Sequence, residues 1–442
     1  MISKEPIIKV GIFEGYTEVR GKWNGKYRIQ CAGEAENDFS VRVHDGNLVA
    51  SGWDQKELAR GPKISCDSIS DATFTLHDVT IGIQFHWERK ESQTFEGNIL
   101  FLLREDGTIT AINEISVERY LASVISSEMS AEAPDDLLKA HAITSRSWLV
   151  AMLEREQKQV GVHPQRSFES ETEITRWYTR EDHAVFDVCA DDHCQRYQGI
   201  TKIISESVSK AIEATSGVFL VYDNEICDAR FYKACGGLSD DFENSWEETR
   251  IPYLTSVSDS HSTHPPIKND KDAAAWILSS PDAYCNTTDG KILRQVLPSF
   301  DQETTDFFRW KVVYQREELE EILKMKSGFD FGTLLDLVPL QRGPSGRLFR
   351  LRIAGTKKNI IVGKELEIRR WLSKSHLYSG AFIIEKEMGG DGRIHTITLR
   401  GAGWGHGVGL CQIGAAVMAA KGIPAENIVK HYFRGAELKK LY

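Results

Sequence analysis

A glycine-rich segment near the C-terminus carries residues suited to ligand binding. Residues 401–414 read GAGWGHGVGLCQIG, in which six glycines surround Trp404, His406 and Gln412. Such glycines let the backbone take positive φ angles and let another chain approach closely. A phosphate loop needs Lys and Ser/Thr where this segment has none, and a dinucleotide fingerprint needs a flanking strand–helix–strand unit that is absent here. Tryptophan beside glycine better suits the apolar face of a sugar ring.

A second set of residues has the types and spacing of metal ligands. His183 precedes Cys189 by six residues, Cys189 precedes Cys194 by five, and His193 adjoins the second cysteine. Thiolates and imidazoles at short loop spacing suit Zn²⁺, with water, His193 or a more distant side chain as fourth ligand. A Cys189–Cys194 disulfide is the alternative if the protein is exported, and two reduced thiols in a turn are the simplest reading.

The remaining cysteines do not form an obvious framework. Eight in 442 residues is below the density of a disulfide scaffold, and most are scattered singly. A lone cysteine is usually a small buried hydrophobic residue. We expect Cys411, inside the glycine-rich segment, to be a small loop residue.

Alternating patterns predict that strands dominate the first part of the chain. KVGIF, KYRIQ, FSVRV and NLVASGW alternate with period two between turn residues, and Asp106-Gly107 is typical of a tight hairpin turn. Helical spacing starts at Val117 and predicts two consecutive helices, the second about five turns long. Pro134 suits the first turn of that second helix. The pattern VFLVYDNEICDARFYKACGG predicts a hairpin with Asp223-Asn224 in its turn.

Strands outnumber helices and the two types come in separate blocks, so the predicted class is α+β. We predict a β-rich N-terminal region over residues 1–94 and a second, mixed α/β domain over 95–442. The second domain contains an insertion or long excursion around 259–310, where His, Pro, Asp and Thr are frequent.

Composition excludes some functional classes. The chain has 41% hydrophobic and 27% charged residues and a formal net charge of −10, so it is globular and a nucleic-acid partner is not expected. No apolar run reaches the ~18 residues of a membrane span. Glu5 and Pro6 interrupt any signal-peptide core, so the chain as given carries no export signal. Cytoplasmic function, a removed leader and another export route all remain open.

The glycine-rich segment is the clearest of several motifs that resemble one family. GWGHGVGLCQIGAAVMAAKG resembles the closing motif of the SpoIID/LytB family, the stage II sporulation protein D and amidase-enhancer proteins. YLASVISSEM, LLKAHAITSRSWLV, FYKACGGLSD, PYLTSV, GPSGRLFRLRIAG and LYSGAF resemble its other motifs, in the family's order, over about residues 95–442. The first 90 or so residues carry no such motif.

The resemblance implies a catalytic domain with a substrate groove. It implies a peptidoglycan lytic transglycosylase, which cleaves the β-1,4 bond from N-acetylmuramic acid to N-acetylglucosamine and leaves a 1,6-anhydro end. It further implies a preference for glycan stripped of its stem peptides. Glycan strands are the expected partner and a cell-wall amidase a second one. The substrate makes an extracytoplasmic location, in the periplasm or cell envelope, the expected one. Sporulation itself is not implied.

By motif alignment Glu128 matches the family's catalytic glutamate. One carboxyl group suffices in a lytic transglycosylase, because the nucleophile is the substrate's own 6-hydroxyl group. Burial near Met129 would suit an acid and base that works near neutral pH. The alternative is an ordinary surface carboxylate near a helix end.

Other residues are carried over from the family one by one. Arg146 could bind a substrate carboxylate or hold Glu128, and an ion pair between helices is the alternative. His406 could donate to a sugar or cap its loop. Gln412 could contact glycan or clamp backbone. The remaining candidates for substrate binding are Gln195, Ser239, Tyr253 and Trp404.

The resemblance also implies a set of zinc ligands and suggests alternative functions. Some of the sporulation proteins carry a His-Cys-Cys set before a Cys-Gln-x-Tyr-x-Gly run, which maps onto His183, Cys189 and Cys194. Zinc there would brace the groove, and the glutamate chemistry needs no metal. The first alternative function is a non-catalytic peptidoglycan-binding amidase enhancer. The second is a zinc hydrolase acting on the same polymer.

Overall fold

The computed structural model describes residues 2–30, 32–82, 88–130, 133–158, 167–178, 183–191, 194–202, 205–296 and 306–442. Large sheets and separate groups of helices confirm the α+β class. Among these residues no helix is both long and apolar enough to cross a lipid bilayer.

The strands of the described chain are β1 (Ile7–Tyr16), β2 (Glu18–Ile29), β3 (Gly33–His44), β4 (Asn47–Gly52), β5 (Glu57–Gly61), β6 (Lys63–Ser68), β7 (Thr73–Ile81), β8 (Arg89–Glu96), β9 (Asn98–Leu103), β10 (Ile109–Ser116), β11 (Ser167–Glu169), β12 (Glu173–Arg176), β13 (Val188–Cys189), β14 (Val218–Tyr222), β15 (Glu225–Ile226), β16 (Phe231–Tyr232), β17 (Arg309–Gln315), β18 (Leu334–Arg342), β19 (Leu348–Gly355), β20 (Asn359–Gly363), β21 (Phe382–Met388), β22 (Ile394–Ala402), β23 (Leu410–Cys411) and β24 (Glu437–Lys440).

The helices of the described chain are α1 (Val117–Glu128), α2 (Asp135–Lys158), α3 (Glu206–Thr215), α4 (Asp270–Ile277), α5 (Gly290–Val296), α6 (Arg316–Ser327), α7 (Glu365–Trp371), α8 (Gln412–Ala420) and α9 (Ala425–Tyr432). Two short 3₁₀ turns, Gly199–Lys202 and Phe242–Asn244, complete the described elements.

The chain divides into two compact units that are not continuous in sequence. Unit 1 comprises residues 1–131, 180–218 and 440–442, and unit 2 comprises residues 132–179 and 219–439. The domain boundary predicted between residues 94 and 95 stays a prediction.

Unit 1 is built on one large sheet. In its described part the strands follow the order β13-β1-β10-β9-β6-β2-β3-β4-β5, and β7 pairs with both β2 and β8. The hairpin predicted at Asp106-Gly107 joins β9 to β10, with Leu103 opposite Ile109. The short strand β13 runs parallel to β1 and places Cys189 opposite Gly11 at the sheet edge.

Helix α1 lies in unit 1 and ends at the predicted catalytic position. Its apolar positions Tyr120, Leu121, Val124 and Ile125 are buried, which confirms the helical spacing seen in the sequence. The helix ends because Met129 is extended, with its N–H bonded to the Ile125 carbonyl oxygen. Glu128 is therefore the last residue of an otherwise well-packed helix.

Unit 2 combines smaller sheets with most of the helices. Its sheets have the orders β11-β12-β20-β19-β18 and β17-β22-β21, together with the parallel pair β16-β23 and, mainly in this unit, β15-β14-β24. The predicted turn at Asp223-Asn224 is confirmed, since both residues have positive φ between β14 and β15. Helix α2 spans 24 residues, so it is longer than the predicted five turns. The region 259–310 contains α4 and α5.

A buried tyrosine fixes the loop that follows β13. The Tyr197 hydroxyl group donates to Asn113 Oδ1 at 2.6 Å, and its ring stacks on Tyr120 at 5.0 Å. The Asn113 amide in turn donates to the carbonyl oxygens of Glu96 and Asn98. This network joins the loop to β10 and to the turn between β8 and β9.

We predict that Tyr197→Phe lowers the free energy of unfolding by about 1–3 kcal/mol, because Asn113 Oδ1 loses its donor in a buried place. Urea denaturation would measure the change. Tyr16→Phe is the matched control, since among the described residues the hydroxyl group of half-buried Tyr16 hydrogen-bonds only with Thr80 Oγ1. Equal losses from both substitutions would contradict the assignment.

Candidate functional site

Glu128 is a half-buried carboxylate without a stabilising neighbour. Within the part of the chain that the structure describes, its side chain has no hydrogen bond or ion pair. It lies at the C-terminal end of α1, whose last turn contains no basic residue, so the helix dipole opposes its negative charge. Met129 beside it is buried. Neither helix capping nor a salt bridge therefore explains why a glutamate lies at this position.

The His-Cys-Cys set predicted from spacing comes together in unit 1. The ligand atoms of His183, Cys189 and Cys194 all lie within 4.8 Å of one another, and His183 Nε2 is 3.4 Å from Cys194 Sγ. Pairing of β13 with β1 fixes Cys189, and the Cys194 N–H donates to the Asp191 carbonyl oxygen. Two thiols and an imidazole are a donor set that fits Zn²⁺. His193 lies outside the described residues.

A cavity of about 350 Å³ adjoins this set in unit 1. Its lining includes Cys189, Asp191 and Arg196, together with residues of β1, β7 and β8. Gln195, predicted to bind substrate, is buried and does not line the cavity.

The glycine-rich segment in unit 2 lies directly against the backbone of residues 230–237. Ala234 and Trp404 exchange two backbone hydrogen bonds of 3.0 and 2.7 Å. Gly403 has φ +76°, and a β-carbon there would lie 2.6 Å from the Ala234 carbonyl oxygen. At Gly407, with φ +82°, it would lie 2.4 Å from Arg347 Cζ. Only glycine permits both the backbone conformation and the contact.

Trp404 belongs to an aromatic cluster. Its ring stacks on Phe307 at 4.8 Å and lies 4.5 Å from Tyr378. The indole group is half-buried, so part of its surface remains accessible. That accessible part is what the predicted sugar contact requires.

His406 has backbone partners for both ring nitrogens. Nε2 lies 3.0 Å from the Phe231 carbonyl oxygen, and Nδ1 accepts from the Val408 N–H at 3.1 Å. Burial, together with the charges of Arg230 and Arg369, lowers the pKa of His406 well below its ordinary value. The ring is therefore neutral, with its proton on Nε2. These contacts favour the loop-capping role over donation to a sugar.

Gln412 connects two helices of unit 2. It is buried at the start of α8, and its Nε2 lies 3.1 Å from His141 Nε2 on α2. His141 Nδ1 lies 3.2 Å from Ser145 Oγ. A neutral His141 that accepts from Gln412 and donates to Ser145 satisfies all three groups.

The other predicted binding residues of unit 2 have protein partners. Arg146 is fully buried, with Nη1 3.5 Å from the Ala142 carbonyl oxygen. The buried Ser239 hydroxyl group accepts from the Val257 N–H at 2.7 Å. Tyr253 accepts from the Asp228 N–H at 2.9 Å.

Several charged and aromatic neighbours of His406 could not be predicted from the sequence. Arg230 lies over the ring of Trp246 at 3.7 Å, and Trp246 contacts the His406 ring at 4.9 Å. Arg230 also forms an ion pair with Asp228 at 2.9 Å. No short spacing links Trp246 to the glycine-rich segment, so only the fold reveals this cluster.

Comparisons with known proteins agree with the motifs. A sequence profile described as Stage II sporulation protein matches residues 105–222. Stage II sporulation protein D of Bacillus amyloliquefaciens is 24% identical over 75% of this chain and 76% of its own length. The chain is therefore similar to stage II sporulation protein D over about three quarters of its length. Stage II sporulation protein D of Bacillus subtilis (strain 168) gives the same identity and coverage, and an uncharacterised protein of Brachyspira hyodysenteriae is 25% identical over 78% of the chain and 72% of its length.

The SpoIID profile covers Glu128, Arg146 and the His183 to Gln195 region. A second profile, described as a domain of unknown function (DUF8618), matches residues 240–409 and covers Tyr253, Trp404 and His406. Ser239 and Gln412 lie just outside both matched ranges.

We predict that buried His141 makes this protein sensitive to acid. Burial lowers the pKa of His141 to about 3, from an ordinary value of 6.5. An unfolded chain takes up the proton below about pH 6.5, whereas the folded one does not. The free energy of unfolding therefore falls as pH drops from 6.5 to 5, by about 2 kcal/mol for this residue.

His141→Gln should reduce that acid loss in urea denaturation, whatever it does to stability at pH 7.5. His395→Gln, at an exposed position of β22 in the same unit, is the control and should leave the pH dependence unchanged. An unchanged pH dependence in His141→Gln would show that His141 does not carry the effect.

Proposed function

We propose that this protein is a peptidoglycan lytic transglycosylase with Glu128 as its single catalytic acid and base. The observation that carries the proposal is the half-buried carboxylate at the end of α1, which has no partner among the described residues and lies inside the region matched by the SpoIID profile. The proposed substrate is the glycan strand, stripped of stem peptides, and the proposed location is the cell envelope.

The chemistry needs no second carboxylate. Protonated Glu128 gives its proton to the glycosidic oxygen as the bond from muramic acid C1 to that oxygen breaks. The muramic acid 6-hydroxyl group attacks C1, and its proton returns to the Glu128 carboxylate. The products are a free 4-hydroxyl group on N-acetylglucosamine and a 1,6-anhydro ring, and no water is consumed.

The unpaired state of Glu128 supports this role. A carboxylate held by Arg or Lys would keep its charge and would be a poor proton donor. Glu128 has no such partner among the described residues, and it is half-buried. Glycan entering the site would remove further water from the carboxyl group, which favours its protonated form.

Most of the predicted binding residues of unit 2 have structural roles within that unit. The guanidinium group of Arg146 and the side chains of Ser239 and Gln412 are buried, so they hold backbone and helices in place. Trp404, which is half-buried, is the residue best able to contact a sugar ring.

His183, Cys189 and Cys194 would hold Zn²⁺ in unit 1. The ion would join these three side chains and so brace the loop after β13. Three protein ligands and a fourth group are enough to hold zinc in this way. Within the chain itself, Cys189 is already fixed by β13, and Tyr197 holds the following loop. No proton transfer of the proposed reaction passes through this set.

The central test is the product formed from purified glycan. Full-length protein would be incubated with intact and with peptide-stripped peptidoglycan, and product ends would be analysed by mass spectrometry. We expect anhydro ends from the stripped glycan and a loss of at least 100-fold in rate for Glu128→Gln, since removing a positioned general acid costs about 10²–10⁴-fold.

Glu105→Gln, an exposed carboxylate in the β9–β10 turn, is the matched control and should retain full activity. Equal activity of Glu128→Gln would refute the catalytic assignment. Folded protein that binds glycan, cleaves neither substrate and stimulates an added amidase would instead support the amidase-enhancer function.

Cys189→Ser/Cys194→Ser tests the proposed bracing. We expect loss of one bound zinc ion and lower thermal stability, with anhydro products still formed, because the acid–base group is Glu128. Metal analysis and product analysis would be run on the same sample. Loss of all cleavage in a folded variant, with cleavage retained by Glu128→Gln, would point to a zinc hydrolase.

A further inference from the structure

A second set of metal-ligating side chains lies deep in unit 2. The ligand atoms of Cys235, Asp259, Cys285 and Cys411 all fall within 4.8 Å of one another. Each residue is at most 2% exposed. The three thiols are free, and Cys235 Sγ lies 3.3 Å from Cys285 Sγ. Four ligands of these types, closed off from solvent, have the composition of a structural metal site.

The four residues come from three separate segments of the chain. Cys235 follows β16, and Cys411 ends β23, the strand parallel to β16. Asp259 and Cys285 belong to the region 259–310. A shared ion would therefore join that region to the glycine-rich segment and to the chain beside it.

The carboxylate of Asp259 is oriented by its surroundings. Oδ1 accepts from the Tyr432 hydroxyl group at 2.6 Å, and Oδ2 accepts from the Cys285 N–H at 2.8 Å. A β-carbon at Gly414 would lie 2.3 Å from Asp259 Oδ1, so glycine leaves the space that the carboxylate needs. Such outer hydrogen bonds fix the direction of a ligand oxygen, and each oxygen keeps a lone pair for a cation.

Two sulfur atoms also receive backbone donors. The Gly237 N–H points to Cys235 Sγ and the Cys235 N–H to Cys411 Sγ, each at 3.3 Å. N–H groups directed at sulfur stabilise thiolate ligands. Further positive charge comes from Arg309, which donates to the Gly236 carbonyl oxygen at 3.0 Å, and from Arg347, which donates to the Cys235 carbonyl oxygen at 3.3 Å.

The geometry suits zinc. Tetrahedral zinc with Zn–S distances of about 2.3 Å keeps its sulfur atoms about 3.8 Å apart, and the side-chain distances here need only small adjustments to reach that value. Sulfur-rich ligand sets select zinc over magnesium and calcium, which prefer oxygen. A full set of four protein ligands leaves no open position for catalysis.

We propose that Cys235, Asp259, Cys285 and Cys411 bind a structural Zn²⁺ in unit 2, distinct from the His183, Cys189 and Cys194 set of unit 1. The ion ties the region 259–310 to the start of α8, next to buried Gln412 and to the segment that contains His406. The site explains why three thiols and a carboxylate converge in a place that apolar side chains could fill.

The test uses full-length protein carrying Cys189→Ser/Cys194→Ser, so that only the unit 2 site can bind metal. This protein would be prepared with reductant, supplied with Zn²⁺, dialysed and analysed for metal. We expect one zinc ion per chain, which falls below half when Cys411→Ser or Asp259→Asn is added. Cys227→Ser, at a buried cysteine outside the cluster, is the control and should keep the ion.

Cobalt binding gives a second test, which still applies if Cys411→Ser or Asp259→Asn prevents folding. In the Cys189→Ser/Cys194→Ser protein, Co²⁺ should give the visible bands of tetrahedral coordination and a near-ultraviolet thiolate charge-transfer band. A folded protein that binds neither Zn²⁺ nor Co²⁺ overturns the proposal. So does protein isolated without reductant that contains a Cys235–Cys285 disulfide and no zinc.

Discussion

The close packing of two backbone segments in unit 2 is the constraint on which its candidate residues depend. Residues 401–414 can pack against residues 230–237 only because Gly403 and Gly407 have no side chain. A β-carbon at either position would overlap a carbonyl oxygen or a guanidinium group. That contact brings β16 beside β23, and it fixes the backbone that binds both nitrogens of His406. The same pairing sets Cys235 next to Cys411. The same backbone contact therefore determines the fold of this part of unit 2 and the positions of its candidate residues.

Burial gives most of these polar groups a structural task. The side chains of His406, Gln412 and Ser239 form hydrogen bonds within the protein, and a polar group with such partners stabilises a fold more readily than it reaches a polymer. Glu128 differs, because it has no partner among the described residues and opposes the dipole of its own helix. A charged residue that contributes no such contact is one whose presence function can explain.

Local signals in the sequence predicted the local structure well. The spacing of Tyr120 to Ile125 predicted α1, the Asp223-Asn224 pair predicted a turn with positive φ, and the short His183 to Cys194 spacing predicted a cluster that the fold assembles. Cys235 and Cys411 are 176 residues apart, so no spacing rule could join them. The two compact units alternate along the chain, which local patterns cannot reveal. The sequence identified the glycine-rich segment as a candidate site. It could not show that this segment packs against residues 230–237, because that contact depends on the tertiary fold.

The most direct test of the catalytic account follows the oxygen atoms of the product. Cleavage of peptide-stripped glycan would be run in water enriched in oxygen-18, and the new muramic acid ends would be weighed by mass spectrometry. Attack by the substrate's own 6-hydroxyl group, assisted by Glu128, predicts ends that contain no solvent oxygen. Incorporation of one oxygen-18 atom at each new end would show that water is the nucleophile, and the transglycosylase mechanism proposed for Glu128 would be wrong.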